Sequence, residues 1–155
     1  MRPPAGYGIV AVQGGNGHEH VEGEVVFEES CPLAGVPNVE THTNNSAELL
    51  GFCRALQWAA NSAYTSDPEI PVCLRYDSCY AAMISSLTWK PKAHAALARE
   101  ARLAWRLLKK RKGERLWLRH VRGHSGHRWN DTADSLANAG RKGVKRKKEA
   151  PIRVD

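Results

Sequence analysis

Between Pro71 and Asp77 lies the short run Val72-Cys73-Leu74-Arg75-Tyr76, with helix-periodic segments on both sides. Fenced by proline and aspartate, such a run reads as a buried strand. A buried strand flanked by helices meets a parallel partner through a helical crossover, so this run commits the chain to an α/β fold. Upstream, Leu49, Phe52, Cys53, Leu56, Ala60 and Ala63 recur at helical spacing. They predict a long helix that Asn45 opens and Asp67-Pro68 ends. Downstream, Asp77 or Ser78 is placed to cap a helix reaching Ile84 or Leu87, and Pro91 breaks the chain. Residues 95–110 carry Leu97, Ala101, Ala104 and Leu108 on one stripe, and Gly113 stops that helix.

The remaining segments fill in the same pattern. Residues 6–12 and 21–27 read as strands, the second closed by Glu28, Glu29 and Ser30. Residues 31–38, with Pro32, Gly35 and Pro37, read as loop. Residues 116–121 form another strand, 123–126 a tight loop and 129–139 a final helix. Gly140, Gly143 and a lysine run then look like a linker, and residues 152–154 are extended. The order is strand, strand, helix, strand, helix, helix, strand, helix, which predicts a sheet with parallel pairs and helices packed on it. A chain of 155 residues fits one domain with a real core.

The net charge of +7 is concentrated locally. Arg106, Lys109, Lys110, Arg111, Lys112 and Arg115 face only Glu114, and Arg141, Lys142, Lys145, Arg146, Lys147 and Lys148 form a second cluster. Such clusters neutralise phosphates and favour polyanions; the plainer alternative is a solvated helix face and a solubilising tail. No run approaches the ~18–20 apolar residues that span a bilayer, so no membrane is expected. Cys31, Cys53, Cys73 and Cys79 contain no Cys-x-x-Cys pair, and read as free thiols in a reducing, intracellular compartment.

Three carboxylates stand at element junctions: Glu48 within Thr43-Asn44-Asn45-Ser46-Ala47-Glu48, Asp77 where the buried strand ends, and Asp134 early in the last helix. Each has a structural explanation alone. Asn45-x-x-Glu48 fits a capping box, Asp77 an N-cap, and Asp131 and Asp134 complement a helix dipole. As a set they say more. Strand ends and helix starts gather at one edge of such a sheet, where ligands bind. Three acids gathered there repel one another unless a cation sits among them, and hard oxygen donors favour magnesium or manganese.

These segments resemble ribonuclease H of the type 1 group. The resemblance is carried by Thr43-Asn44-Asn45-x-x-Glu48-Leu49, by Tyr76-Asp77-Ser78-x-Tyr80, and by Val121-Arg122-Gly123-His124-x-Gly126-His127-x-x-Asn130-Asp131-x-x-Asp134-x-Leu136-Ala137. Gly6-Tyr7-Gly8 and Trp89-Lys90-Pro91-Lys92 add to it, and the likeness spans roughly residues 5–140. It implies a mixed five-stranded sheet flanked by helices. The RNase H-like domain is placed at residues 1–142, with 143–155 a basic linker and C-terminal strand of the same domain. It further implies an endonuclease that cuts the RNA strand of RNA–DNA hybrids. Glu48, Asp77 and Asp134 would hold two magnesium ions about 4 Å apart, manganese substituting, and His124 would relay a proton or help release product. Thr43, Asn44, Asn45 and Ser78 would contact the hybrid, with Arg122 and the basic helix at 109–112 on backbone phosphates. Cys79 departs from the family pattern, which commonly has an amide there.

The family pattern opens with a central strand ending in a fourth metal-binding aspartate, and no aspartate precedes Tyr7 here. One reading is a circular permutation, with Ile152-Arg153-Val154-Asp155 returning to the central slot and Asp155 serving as the fourth ligand. The alternatives are a strand supplied by a partner chain or by upstream sequence, or a disordered tail on an inactive protein. The rival function is a catalytically inactive RNA-binding or scaffold subunit of a ribonucleoprotein complex.

Overall fold

The computed structural model describes residues 4–14, 23–37, 39, 41–122 and 128–152. Its elements are β1 (Gly6–Gln13), β2 (Glu24–Pro32), α1 (Asn44–Asn61), β3 (Val72–Tyr76), α2 (Cys79–Ser85), α3 (Ala95–Lys112), β4 (Leu116–His120), α4 (Arg128–Arg141) and β5 (Arg146–Glu149). Short 3₁₀ turns follow α1 at Ala63–Thr65 and α3 at Gly113–Arg115. The mixed α/β arrangement is the one expected. Among the described residues the five strands form two sheets: antiparallel β1-β2-β5 and parallel β3-β4.

α1 joins the two sheets. Leu50 and Cys53 pack in one cluster with Tyr7 and Ile9 of β1, while Phe52 and Leu56 pack in another with Val72, Leu74 and Tyr76 of β3. Leu49, Leu50, Cys53 and Leu56 are fully buried, so one helix supplies the centre of both clusters. α3 closes the outer side through Leu97, Ala98, Ala101 and Leu108. None of the described helices is long and apolar enough to cross a membrane.

α4 lies on the opposite face of β1. Successive strand residues point to opposite faces. Tyr7 points at Gly51 of α1, whereas a Cβ built on Gly8 would fall 2.4 Å from the Ala133 carbonyl oxygen and the Ala137 nitrogen. Ser30 of β2, also fully buried, donates its hydroxyl to the Leu136 carbonyl at 2.5 Å. The glycine of β1 and the small hydroxyl of β2 thus let α4 lie against the strands at backbone distance.

Four expectations change. β2 extends through Cys31 and Pro32, because β1 pairs with both of them (Tyr7 with Cys31, Gly6 with Pro32). α1 is capped by Thr43 rather than Asn45: the Thr43 hydroxyl accepts from Ser46 N, and Ser46 Oγ accepts from Thr43 N at 2.8 Å. Asp77 is not the cap of α2; that position belongs to Ser78. The segment read as linker carries β5, which pairs antiparallel with β2 on the edge away from β1. The fifth strand therefore forms at Arg146–Glu149 on the outer edge, and not between β1 and β3. Asp155 lies outside the described residues.

Candidate active site

β3 and β4 run parallel in register, Tyr76 opposite His120, so their C-terminal ends share one edge. Val121 N donates to the Tyr76 carbonyl at 2.7 Å, and His120 Nε2 bonds the Asp77 carbonyl oxygen at 3.1 Å. This ties Tyr76 and Asp77 to His120 and Val121 at the end of β4, while the Asp77 residue stays exposed. Nothing in a hydrophobic pattern marks His120 for this bracing role.

Glu48 reaches the same edge from α1. It lies just beyond the first turn of the helix, half-buried. Ser78 Oγ donates to Glu48 Oε2 at 2.6 Å. Although Ser78 sits at the N-cap position of α2, its side chain makes no capping bond. The hydroxyl is spent on a carboxylate thirty residues away instead of on its own helix. That exchange brings Glu48 beside the Asp77-Ser78 corner. A charge-assisted bond of this length fixes the rotamer of the carboxylate.

Thr43, Asn44 and Asn45 are exposed at the start of α1, shortly before Glu48 in sequence, and Arg122 is exposed just past β4. Asp134 stands in α4, partly buried, one residue past Ala133 at the Gly8 contact. It belongs to the layer on the far face of β1 from α1. The structure therefore brings Glu48 together with the Asp77-Ser78 corner, and places Asp134 in the opposing layer. His124 lies outside the described residues, as does Asp155.

The donor chemistry suits a hard dication: carboxylate oxygens with a hydroxyl beside them. Among the described residues, however, no three carboxylate, imidazole or thiol groups converge into a metal-binding cluster. Glu48 is tied to the Asp77-Ser78 corner through the Ser78 hydroxyl, and a closed metal site needs further donors.

The basic helix end expected to grip phosphates is largely committed elsewhere. Lys112 is buried, and its Nζ donates to the Asp67 and Ile70 carbonyls at 2.7 Å each. Arg111 donates to the Ala60 carbonyl, and Lys109 to the Leu116 carbonyl at 3.4 Å. These cations clamp neighbouring loops and strand ends onto α3.

The RNase H family profile matches residues 5–142 of the chain. A curated protein named Ribonuclease H, from Nitrosomonas eutropha (strain DSM 101675 / C91 / Nm57), is 32% identical over 163 residues, covering 94% of this chain and 85% of that protein.

Proposed function

Because the chain belongs to the RNase H family and is a ribonuclease H enzyme, we propose that it hydrolyses the RNA strand of RNA–DNA hybrids with magnesium, manganese substituting. The observation that carries this reading is the Ser78–Glu48 bond, which gathers an oriented carboxylate at the Asp77 corner. Glu48, Asp77 and Asp134 are the proposed metal ligands. Held by these carboxylates, magnesium would supply a water of lowered pKa and would offset charge on the leaving oxygen.

The chain's own residues do the rest. Ser78 holds Glu48 in one orientation. The exposed Thr43-Asn44-Asn45 turn offers short polar groups to sugar hydroxyls, where a 2′-OH distinguishes RNA from DNA. Arg122 faces solvent beside the same edge and takes a backbone phosphate. His124, in sequence between β4 and α4, is the proposed proton carrier. An intracellular setting belongs to the same proposal, supported by four free cysteines, two of them buried.

The test is cleavage of an end-labelled RNA–DNA hybrid, with RNA and DNA duplexes as controls. Magnesium-dependent scission confined to the RNA strand of the hybrid, blocked by EDTA, is the expected result. A protein that binds the hybrid and leaves it intact in magnesium and in manganese would instead be the inactive scaffold.

A further inference from the structure

The C-terminal cations, one run in sequence, are sorted by β5 onto two faces. Lys147 and Glu149 turn toward α1: Lys147 Nζ lies 3.8 Å from Glu29, and Glu149 accepts from Trp58 Nε1 at 2.8 Å. Arg146 and Lys148 alternate with them and therefore turn toward the α4 side. Their cross-strand partners agree, since Arg146 stands opposite Ser30, whose hydroxyl bonds α4. Glu28, opposite Lys148, is the acid on that side of β2.

On the same side, the end of α4 forms one wall of a groove of about 420 Å³. Arg141, Lys142 and Gly143 line that wall, Gly35 and His42 also line the groove, and no acidic side chain is among the described lining residues. Complementing the helix dipole explains cations on a last turn. It does not explain why they face a groove. Nor are they needed to satisfy the α4 carbonyls, which backbone groups already serve: Lys142 N bonds Asn138 O and Ala139 O, and Gly143 N bonds Gly140 O. The Arg141 guanidinium is braced by Asn138 Oδ1 at 2.7 Å, so it is held at the mouth.

His42 immediately precedes Thr43, the first residue of the proposed hybrid-contacting turn. Through His42 the groove adjoins that turn. We infer that this groove seats a backbone phosphate of the bound nucleic acid, gripped by Arg141 and Lys142, and that Arg146 and Lys148 extend the contact along β5. This rests on the chain acting on nucleic acid and adds a second contact surface away from the Asp77 corner. The shared chemistry is a phosphate group, and the source proposed is a polynucleotide backbone.

The test is fluorescence anisotropy of a labelled RNA–DNA hybrid of roughly 20 base pairs, in EDTA so that no turnover occurs, across a salt series. The variant is Arg141→Gln/Lys142→Gln, with Arg146→Gln/Lys148→Gln as a second pair and melting curves checking the fold. Loss of two phosphate contacts should raise Kd about tenfold and make the slope of log K against log salt shallower by about 2. An unchanged affinity and slope in both double variants overturns the inference, whether or not the wild type cleaves. A wild type that binds with this dependence but never cuts leaves the inference standing and removes the proposed function. The His42 imidazole resonances, followed with inorganic phosphate and then with hybrid, separate the sources. Saturation by phosphate as tight as by hybrid would overturn the polynucleotide assignment.

Discussion

Ser78 Oγ sits 2.6 Å from Glu48 Oε2, donating across the gap between α2 and α1 while its own helix goes uncapped by it. A capping serine typically contributes about 1 kcal/mol to its helix. Here that contribution is exchanged for control of a carboxylate. Ser78→Ala should therefore cost little stability and lower kcat on the hybrid by about tenfold, the loss of one charge-assisted bond. Ser78→Thr, which keeps the hydroxyl, should recover most of the rate. Glu48→Gln should fall much further, by a hundredfold or more in order of magnitude. Equal rates for Ser78→Ala and wild type, over a series of magnesium concentrations, would remove Ser78 as a positioning residue.

Lys112 offers a contrast between charge as a binding device and charge as a clamp. Burial pushes its ammonium below the usual lysine range, the Asp67 charge opposing that shift. The group still donates to two carbonyls of the Asp67–Ile70 turn. Lys112→Met keeps the length and removes the donors, so it should destabilise the fold by about 2 kcal/mol. Hybrid affinity and its salt slope should stay at the wild-type value, because this lysine does not reach solvent phosphates. Urea unfolding and the anisotropy assay together decide it; a shallower salt slope in this variant would return Lys112 to the nucleic-acid surface.

Much of this fold was legible because its core obeys simple periodicities. The 3.6-residue recurrence of Leu49, Phe52, Cys53 and Leu56 and the short run at Val72–Tyr76 located α1 and β3 without further information. β5 was illegible for a physical reason. Arg-Lys-Lys-Glu has no apolar alternation, and as an edge strand it is exposed throughout. What holds it is its backbone ladder with β2 and the approach of Lys147 to Glu29, together with the Trp58 bond to Glu149 and the Tyr64 bond to the Ala150 carbonyl. Hydrophobic pattern cannot register such partners. The site shows the same division. Glu48 and Asp77 were singled out by their places at element junctions, whereas the use of Ser78 on Glu48 instead of on its helix depends on where α1 and α2 meet. Lys112 failed in the other direction: its charge was visible, its burial was not.

The contact between β1 and α4 sets the position of Asp134. A methyl group on Gly8 would sit 2.4 Å from the Ala133 carbonyl and the Ala137 nitrogen, both backbone atoms that cannot rotate aside. Gly8→Ala must therefore lift α4 or bend β1. Overpacking of this kind costs about 1–3 kcal/mol, a fall in Tm of roughly 5 °C for a chain of this size. Because Asp134 follows Ala133, displacement of the helix should also lower kcat more than it weakens hybrid binding. The paired measurements are a melting curve and a kcat–KM split. Wild-type values for both would show that α4 is free to move without affecting the site.

Cys53 gives the fold a defined alkaline limit. Its thiol is fully buried, and burial, reinforced by the Glu100 charge, pushes its pKa from 9.0 up to about 12. In the unfolded chain the thiol ionises near 9.0, while in the native protein it stays protonated. The unfolded state then holds fewer protons, so stability falls as pH rises. The contribution is intact below pH 9 and is lost progressively toward about 12, at roughly 1.4 kcal/mol per pH unit. Tyr7 adds in the same direction above 10.0, since burial and its bond to Glu29 keep the phenol protonated. Cys53→Ala should be less stable than wild type at neutral pH, because it leaves a small void beside Leu50. Its stability should nonetheless decline less steeply between about pH 9 and about pH 11, so the two urea-unfolding curves draw together as pH rises. Parallel declines across that range would show that the thiol does not stay protonated in the folded protein, and that its environment is wetter than the packing of α1 requires.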